Sequence, residues 1–134
     1  MRRVVITGMG IVSSLGTNQD EVTRSLRDSI PGIGFSQEAK DNGLRSHVCG
    51  QIDLNLPELI DRKLMRFMCP ASGYTYLAMK EAIAQAGLTE EHIRANSTGV
   101  ITGAGGASTV ELMDAIDTHR EKGIRRVGPY RVPR

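Results

Sequence analysis

The stretch RVVITGMGIVSSLG, residues 3–16, joins a run of β-branched residues to a turn that contains three glycines. The run at residues 3–7 predicts a buried strand, because β-branched apolar residues bounded by glycine are typical of one. Residues 98–102 repeat the pattern before a second glycine-rich stretch and predict a second buried strand. Helical patterns lie between the two, so the order of elements predicts an α/β fold with a parallel sheet.

Two helices are predicted from capping boxes, in which a capping side chain and an acid three positions later satisfy each other's backbone groups. Asn18 and Glu21 open a helix that runs through about residue 27. Ser108 and Glu111 open a second helix, and Gly123 ends it. The signal is local, so it predicts the first residue of each helix directly.

Two more helices and a strand are predicted between them. Residues 61–68 form a short helix, with Leu64, Met65 and Met68 expected to face inward. Asp61 is placed to cap that helix.

Residues 71–86 predict a longer helix, ended by Gly87, that is apolar almost all round and therefore buried. Residues 47–52 predict a further strand. Buried parallel sheets normally have more than two or three strands, and so few cannot cover such a helix. On these grounds residues 1–134 are expected to be part of a larger domain.

The composition is that of an ordinary globular protein, with 134 residues, 40% apolar, 24% charged and a formal net charge of +2. So balanced a charge argues against a general nucleic-acid binder. The aromatic share of 4%, with no Trp, provides no base-stacking surface. Crossing a bilayer needs an apolar run of about 20 residues, which the chain lacks. Neither a nucleic-acid partner nor a membrane is expected.

The compartment is predicted from the cysteines and the first residues. Cys49 and Cys69 are too few for a disulfide scaffold. The start, MRRVVITG, has the positive end of a signal peptide, but its apolar run is far shorter than the ~7 to 15 residues required. The expected location is the cytoplasm, with both thiols reduced.

Side chains suited to metal or nucleophile chemistry are sparse. His47, His92 and His119 match no metal-ligand spacing, so surface or capping roles are expected and no metal site is predicted. Cys69 precedes Pro70 near a helix start, a position that can lower the pKa of a thiol. Because no histidine is placed locally as a base, Cys69 is expected to be a packing residue.

Two glycine turns are candidate ligand sites. The spacing Gly8-x-Gly10-x-x-Ser13 imitates a dinucleotide fingerprint, but the helix starts late and no clean strand supplies the acid expected ~20 residues on. A tight turn is the favoured interpretation, and a small dinucleotide-binding domain is an alternative. The loop at residues 103–108 is better suited to close approach of an acyl chain or another subunit, because its glycines lack side chains.

Two basic clusters stand out in this otherwise near-neutral chain. The first consists of Arg62, Lys63 and Arg66, and the second of Lys122, Arg125 and Arg126. A solvated helix face is the usual explanation for such a cluster. The presence of two favours a surface for an acidic partner.

Taken together, these segments resemble one family, the type I β-ketoacyl-acyl-carrier-protein synthases of bacterial fatty-acid synthesis. The resemblance runs from end to end of the chain, in the family's order and spacing. The matching stretches are residues 3–16, 44–48 (LRSHV), 59–68 (LIDRKLMRFM), 82–88 (AIAQAGL), 103–108 (GAGGAS) and 127–130 (VGPY).

The resemblance implies a homodimer with the thiolase fold, two similar halves stacked as α/β/α/β/α layers. It covers only about the first third of a family member. Residues 1–134 are therefore expected to be the N-terminal segment of the N-terminal thiolase-like domain, with the fold incomplete in this chain. Family members condense an acyl thioester, held on a cysteine, with malonyl-acyl carrier protein to give 3-oxoacyl-acyl carrier protein.

The resemblance also assigns site residues. The nucleophilic cysteine and two histidines of the family lie beyond the matched third, so no catalytic residue and no cofactor are predicted within residues 1–134. The basic patch on which the acidic acyl carrier protein docks falls on Arg62, Lys63, Arg66, Lys122 and Arg125. The loop that lines the acyl pocket near the dimer interface falls on Gly105, Gly106 and Ala107. Fixed cations steer an acidic partner and raise its association rate.

The sequence therefore predicts the N-terminal portion of an acyltransferase of fatty-acid elongation. The alternative is a truncated, catalytically inert chain that retains only a carrier-protein docking and dimer scaffold surface. Labelling of the thiols by an acyl thioester distinguishes the two.

Overall fold

The computed structural model describes residues 3–134, so Met1 and Arg2, the charged start of the chain, lie outside the described residues. The helices and strands, in chain order, are α1 Gln19–Arg27, β1 Ile33–Phe35, α2 Gln37–Asp41, β2 Val48–Gly50, α3 Leu56–Leu59, α4 Arg62–Met65, α5 Pro70–Gln85, α6 Glu90–Arg94 and α7 Thr109–Lys122. Two short 3-10 turns follow, Ile124–Arg126 and Pro129–Arg131. None of the helices within residues 3–134 is long and apolar enough to cross a bilayer.

The chain divides into two compact units. The first contains the residues up to Leu54 together with Thr75–Leu88, and so holds α1, α2, both strands and most of α5. The second contains Asn55–Tyr74 and Thr89–Arg134. All five predicted docking cations belong to the second unit.

Both predicted capping residues are confirmed as helix caps. The Asn18 side chain accepts a hydrogen bond from the Glu21 N–H at 2.9 Å, and the Ser108 hydroxyl accepts one from the Glu111 N–H at 3.4 Å. Neither predicted capping box is complete, because neither acid accepts a hydrogen bond from the backbone N–H of its cap. The Glu21 carboxylate instead accepts from the Thr17 N–H at 2.7 Å, and this bond lowers the pKa of Glu21. The Glu111 carboxylate pairs with arginines.

Helix α5 begins and ends within one residue of the prediction. At its end Gly87 has a φ of +63°, the Gly87 N–H donates to the Ala84 carbonyl at 3.1 Å, and the Leu88 N–H donates to Ile83 at 3.2 Å. This pair of bonds is a Schellman motif. The predicted burial is wrong, since Gly73 is the only buried residue of α5. Too few elements within residues 3–134 pack on its apolar surface.

The first glycine turn packs against α5. A Cβ on Gly8 would overlap the carbonyl oxygen of Ala82, and one on Gly10 would overlap that of Ala78. The obstructing atoms belong to helix backbone, which cannot move aside cheaply. These two glycines therefore allow the chain to lie directly on the helix.

Polar side chains of α5 replace strand pairing along that turn. The Glu81 carboxylate accepts from the Ile11 N–H at 3.0 Å and from the Gln19 N–H at 2.9 Å. The Gln85 side-chain oxygen accepts from the Met9 N–H at 2.7 Å. Backbone donors that have no sheet partner are satisfied in this way.

The strands predicted at residues 3–7 and 98–102 are not formed within the described residues. Val4 is 94% exposed, Ile6 82% and Ile101 98%. A strand needs a neighbour for its backbone groups and its buried face, and the only paired strands among residues 3–134 are β1 and β2. The composition of the two runs indicates strand propensity, but neither run is paired within the described residues.

The sheet that residues 3–134 form is antiparallel, which corrects the predicted parallel arrangement. Ile33 lies opposite Gly50, and Phe35 lies opposite Val48. Strand β2 confirms the strand predicted at residues 47–52, whereas no strand is predicted at the position of β1. The mixture of helices and strands is consistent with the predicted α/β class.

The core of the second unit lies where α3 meets the start of α5. Leu56, Ile60 and Cys69 are buried there, as is Gly73. A Cβ on Gly73 would lie 2.8 Å from the Leu56 Cδ1, so the absence of a side chain lets α3 approach. This contact fixes the segment between them, which contains α4.

Residues 1–134 on their own are expected to self-associate. Val4, Val5 and Ile6 form one contiguous exposed apolar run, and Val100 and Ile101 form another. Such surface drives association, and unpaired backbone groups along both runs add to it. Light scattering during size exclusion should give a mass above that of a 134-residue monomer. A monomer with a sharp, cooperative thermal transition would contradict this expectation.

Candidate functional site

Helix α4 presents two of the predicted docking cations. The Asp61 carboxylate caps the helix by accepting a hydrogen bond from the Lys63 N–H at 2.7 Å. Arg62 and Lys63 are both exposed, and Arg66 is exposed at the C-cap. The local sequence therefore fixes these three cations on one short exposed segment, as predicted.

The predicted apolar face of this segment is correct only in part. Met65 and Met68 are half-buried, but Leu64 is exposed. Helix α4 is a single turn of four residues. The inward face predicted for a two-turn helix over residues 61–68 is therefore not formed as a whole.

Arg66 lies against a pair of aromatic rings. Its guanidinium carbon is 5.7 Å from the centroid of the Tyr130 ring. That ring in turn meets Phe67 edge to face, with centroids 5.1 Å apart. A cation–π contact leaves the guanidinium N–H groups available to a carboxylate. Arg66 is therefore held in place without its charge being neutralised.

The second basic segment follows helix α7. Lys122 is the last residue of α7, Gly123 ends the helix with a φ of +80°, and Arg125 lies in the following 3-10 turn. Both cations are exposed. Within residues 3–134 no hydrogen bond, ion pair or ring contact joins them to the cations of the α4 segment. The structure thus places two basic segments in one unit with no bond between their side chains among the described residues.

None of the five cations forms an ion pair within the part of the chain that the structure describes. Other arginines do, for example Arg94 with Glu90 and Arg120 with Asp117. An unpaired, exposed cation is free to attract an external anion. We use the name docking cations for Arg62, Lys63, Arg66, Lys122 and Arg125.

The second glycine loop is open. Gly105, Gly106 and Ala107 are exposed, and a Cβ added at either glycine would meet no atom within 4 Å. Close packing against the described part of the chain therefore does not explain these glycines, in contrast to Gly8 and Gly10.

The cysteines have no basic partner within residues 3–134. Cys69 is buried, and its Sγ lies 3.3 Å from the Ser72 Oγ, an interaction that lowers the pKa of the thiol. Cys49 is exposed in β2. The predicted packing role of Cys69 is confirmed by its burial.

The histidines take local roles. His92 completes a capping box at α6, where its Nδ1 accepts from the Thr89 N–H at 3.1 Å. His47 lies edge to face with Phe35, and His119 is exposed in the last turn of α7. No group of three potential ligands in the described residues is arranged to hold a metal ion.

Sequence reasoning missed the residues that contact Arg66. The sequence marks Tyr130 only as part of the matching stretch 127–130 and Glu111 only as the acid of a capping box. Arg131 and Arg134 carried no prediction, yet both pair with Glu111. No local pattern signals such contacts, because 17 to 68 positions separate the partners in the sequence.

Comparison with known proteins gives one consistent result. The model of the family described as "Beta-ketoacyl synthase, N-terminal domain" matches residues 1–134. The chain is 52% identical over 132 residues to 3-oxoacyl-[acyl-carrier-protein] synthase 1 of Escherichia coli K12, covering 97% of this chain and 32% of that protein. It is 47% identical over 133 residues to synthase 1 of Haemophilus influenzae, covering 98% of this chain and 33% of that protein.

A more distant relative is 3-oxoacyl-[acyl-carrier-protein] synthase 2 of Staphylococcus aureus, 32% identical over 135 residues, with 98% of this chain and 32% of that protein covered. The chain spans about a third of the length of these curated relatives. The family match over all 134 residues and these identities lead to the same conclusion: the chain belongs to the beta-ketoacyl synthase family.

Proposed function

We propose that this chain is the N-terminal segment of a condensing enzyme of fatty-acid synthesis. The reaction is the Claisen condensation of an acyl thioester with malonyl-acyl carrier protein, in which carbon dioxide is lost and 3-oxoacyl-acyl carrier protein forms. Family membership supports this proposal, as do the names of the related proteins. The thiolase-like fold belongs to the same proposal.

The part that this chain plays is recognition of the carrier protein. The observation that carries the proposal is the set of five exposed docking cations, which have no internal carboxylate partner among the described residues. Unpaired, exposed cations raise the local concentration of an acidic partner and orient it during encounter. The Arg66 guanidinium lies over the Tyr130 ring, which fixes its position.

The open loop at Gly105, Gly106 and Ala107 is proposed to line the acyl pocket close to the interface of a homodimer. Its support is the empty space around both glycines, which leaves room for an acyl chain or a second subunit to approach the backbone. The nucleophilic cysteine and the histidines are proposed to lie in the rest of the enzyme. Cys69 has Ser72 as its partner rather than a base.

The test is to restore a complete enzyme. Residues 1–134 are joined to the part of the Escherichia coli relative that lies beyond the matched third, and we call the product the joined enzyme. With acyl and malonyl carrier protein it should form 3-oxoacyl product. Carrier association should slow as ionic strength rises, because the Debye length falls from about 30 Å at 0.01 M to about 8 Å at 0.15 M. A folded joined enzyme that gives no product would contradict the proposed reaction, and salt-independent association would contradict electrostatic docking.

A further inference from the structure

A cluster of ion pairs joins helix α7 to the last residues of the chain. The Glu111 Oε2 lies 2.5 Å from the Arg131 Nη1 and 3.5 Å from the Arg134 Nη1. The Arg131 Nη2 also pairs with the Asp114 Oδ2 at 3.2 Å. We call Glu111, Asp114, Arg131 and Arg134 the Glu111 cluster. One arginine thus bridges two carboxylates, and one carboxylate holds two arginines.

The Glu111 cluster differs from the other ion pairs of the described chain in its burial. The side chains of Glu111, Arg131 and Arg134 are 17%, 22% and 27% exposed, although Asp114 at the edge of the cluster is 66% exposed. Those of the Arg94–Glu90 pair are 77% and 76% exposed. Exposed ion pairs are screened by water and contribute little stability. Partly buried, charge-assisted hydrogen bonds are stronger and keep the side chains in a fixed geometry. The hydrogen bonds to Asp114 and Glu111 also raise the pKa of Arg131.

Two contacts connect the Glu111 cluster to the docking cation Arg66. The Arg134 Nε donates a hydrogen bond to the backbone carbonyl of Arg66 at 3.0 Å. Tyr130, the residue before Arg131, lies under the Arg66 guanidinium and against Phe67. Both the backbone and the side chain of Arg66 are therefore held by the segment that Glu111 anchors.

We propose that Glu111 is a positioning residue for the docking cation Arg66. It acts through Arg131 and Arg134, which hold the turn at residues 129–134 beneath the α4 segment. This inference rests on the proposed docking function. Its distinctive consequence is that an acidic side chain improves the binding of an acidic partner, the opposite of its direct electrostatic effect.

The test compares two variants of the joined enzyme that each remove one negative charge from α7. Glu111→Gln loses the anchor of the cluster. Asp117→Asn is the matched control, because Asp117 makes only an exposed pair with Arg120 at 3.9 Å. Simple electrostatics predicts unchanged or slightly tighter carrier binding for both variants. We expect Glu111→Gln to weaken binding about 3- to 10-fold, a typical size for coupling between contacting residues, and Asp117→Asn to leave it unchanged.

A second readout does not involve the carrier. The Phe67 N–H donates to Leu64 and the Met68 N–H donates to Met65, at 3.0 and 3.1 Å. Hydrogen exchange of these two amides should be several-fold faster in Glu111→Gln and unchanged in Asp117→Asn, because the segment is released from its support. Unchanged exchange in both variants would overturn the positioning role, whatever the carrier does.

Repeating the comparison in an Arg66→Ala variant separates the positioning role of Glu111 from the docking role of Arg66. If Glu111 acts through Arg66, Glu111→Gln should have almost no further effect on carrier binding once Arg66 is absent. An equal loss in both backgrounds would overturn the inference. If Arg66→Ala alone leaves carrier binding unchanged while the amides still exchange faster in Glu111→Gln, the docking role of Arg66 fails and the structural support by Glu111 stands.

Discussion

Acyl carrier protein should associate about 10-fold or more slowly with the joined enzyme when Arg62→Glu and Lys63→Glu are introduced together, since steering by a charged surface changes rates by about 10- to 1000-fold. Each substitution replaces +1 with −1, so the formal net charge of this chain falls from +2 to −2. Both side chains are exposed and free of ion pairs within the described residues. Stopped-flow association at low and high salt measures the effect, and added salt should narrow the difference from the parent.

The matched control places the same charge change elsewhere. Lys40→Glu with Lys80→Glu also lowers the net charge by four, and both lysines are exposed in the first unit. Exposed charges contribute about 0–1 kcal/mol each to the free energy of unfolding, so neither double variant should alter the fold much. Equal slowing by the two double variants would show that the carrier senses the overall charge rather than the docking cations.

Residues 1–134 alone are expected to form no 3-oxoacyl product from acyl and malonyl carrier protein. A cysteine nucleophile needs a nearby base or a cation that stabilises its thiolate. Neither Cys49 nor Cys69 contacts a histidine within residues 3–134, and the side-chain partner of the Cys69 thiol is the Ser72 hydroxyl. Mass spectrometry of the carrier after long incubation measures the product, with the joined enzyme as the positive control.

The cysteines provide the internal check on that expectation. Product formed by residues 1–134 and lost in Cys69→Ser or Cys49→Ser would show that a thiol of this chain is a nucleophile. The assignment of Cys69 to packing, which rests on its burial, would then be wrong.

Helices α1, α5 and α7 could be predicted because their signals are local, whereas α2, α3 and α6 were not predicted. Asn18 and Ser108 cap α1 and α7 through bonds that span three residues, and Gly87 ends α5 through its own positive φ. Each signal acts within one turn of the chain, so a pattern of neighbouring residues contains the whole of it.

The strands could not be predicted in the same way. Residues 3–7 and 98–102 have the composition of buried strands, yet Val4 and Ile101 are almost fully exposed. Conversely, β1 pairs with β2 although Ile33, Gly34 and Phe35 carry only a weak pattern. Strand formation depends on a partner distant in sequence, which propensity alone does not identify.

The candidate site also combines features set by the local sequence with contacts between residues distant in sequence. Asp61 and the cations of the α4 segment follow from the local sequence, and the structure places them as predicted. The contacts that orient Arg66 come from Tyr130 and Arg134, which lie more than 60 positions away. Contacts between residues so far apart in the sequence leave no periodic pattern, so only the folded arrangement identifies them.

The central claim, that these cations recognise the carrier rather than build the active site, is tested most directly by comparing two substrates. The joined enzyme and its Arg62→Glu, Lys63→Glu variant are compared by kcat/KM for the acyl donor, with the acyl group either on the carrier protein or on a small thioester. In a reaction that passes through a covalent acyl-enzyme, this constant reports only the transfer of the acyl group to the enzyme, before malonyl-acyl carrier protein takes part. A small thioester never meets the docking cations. We predict that the variant loses kcat/KM on the carrier-bound substrate and keeps it almost unchanged on the small one. An equal loss on both would contradict the account.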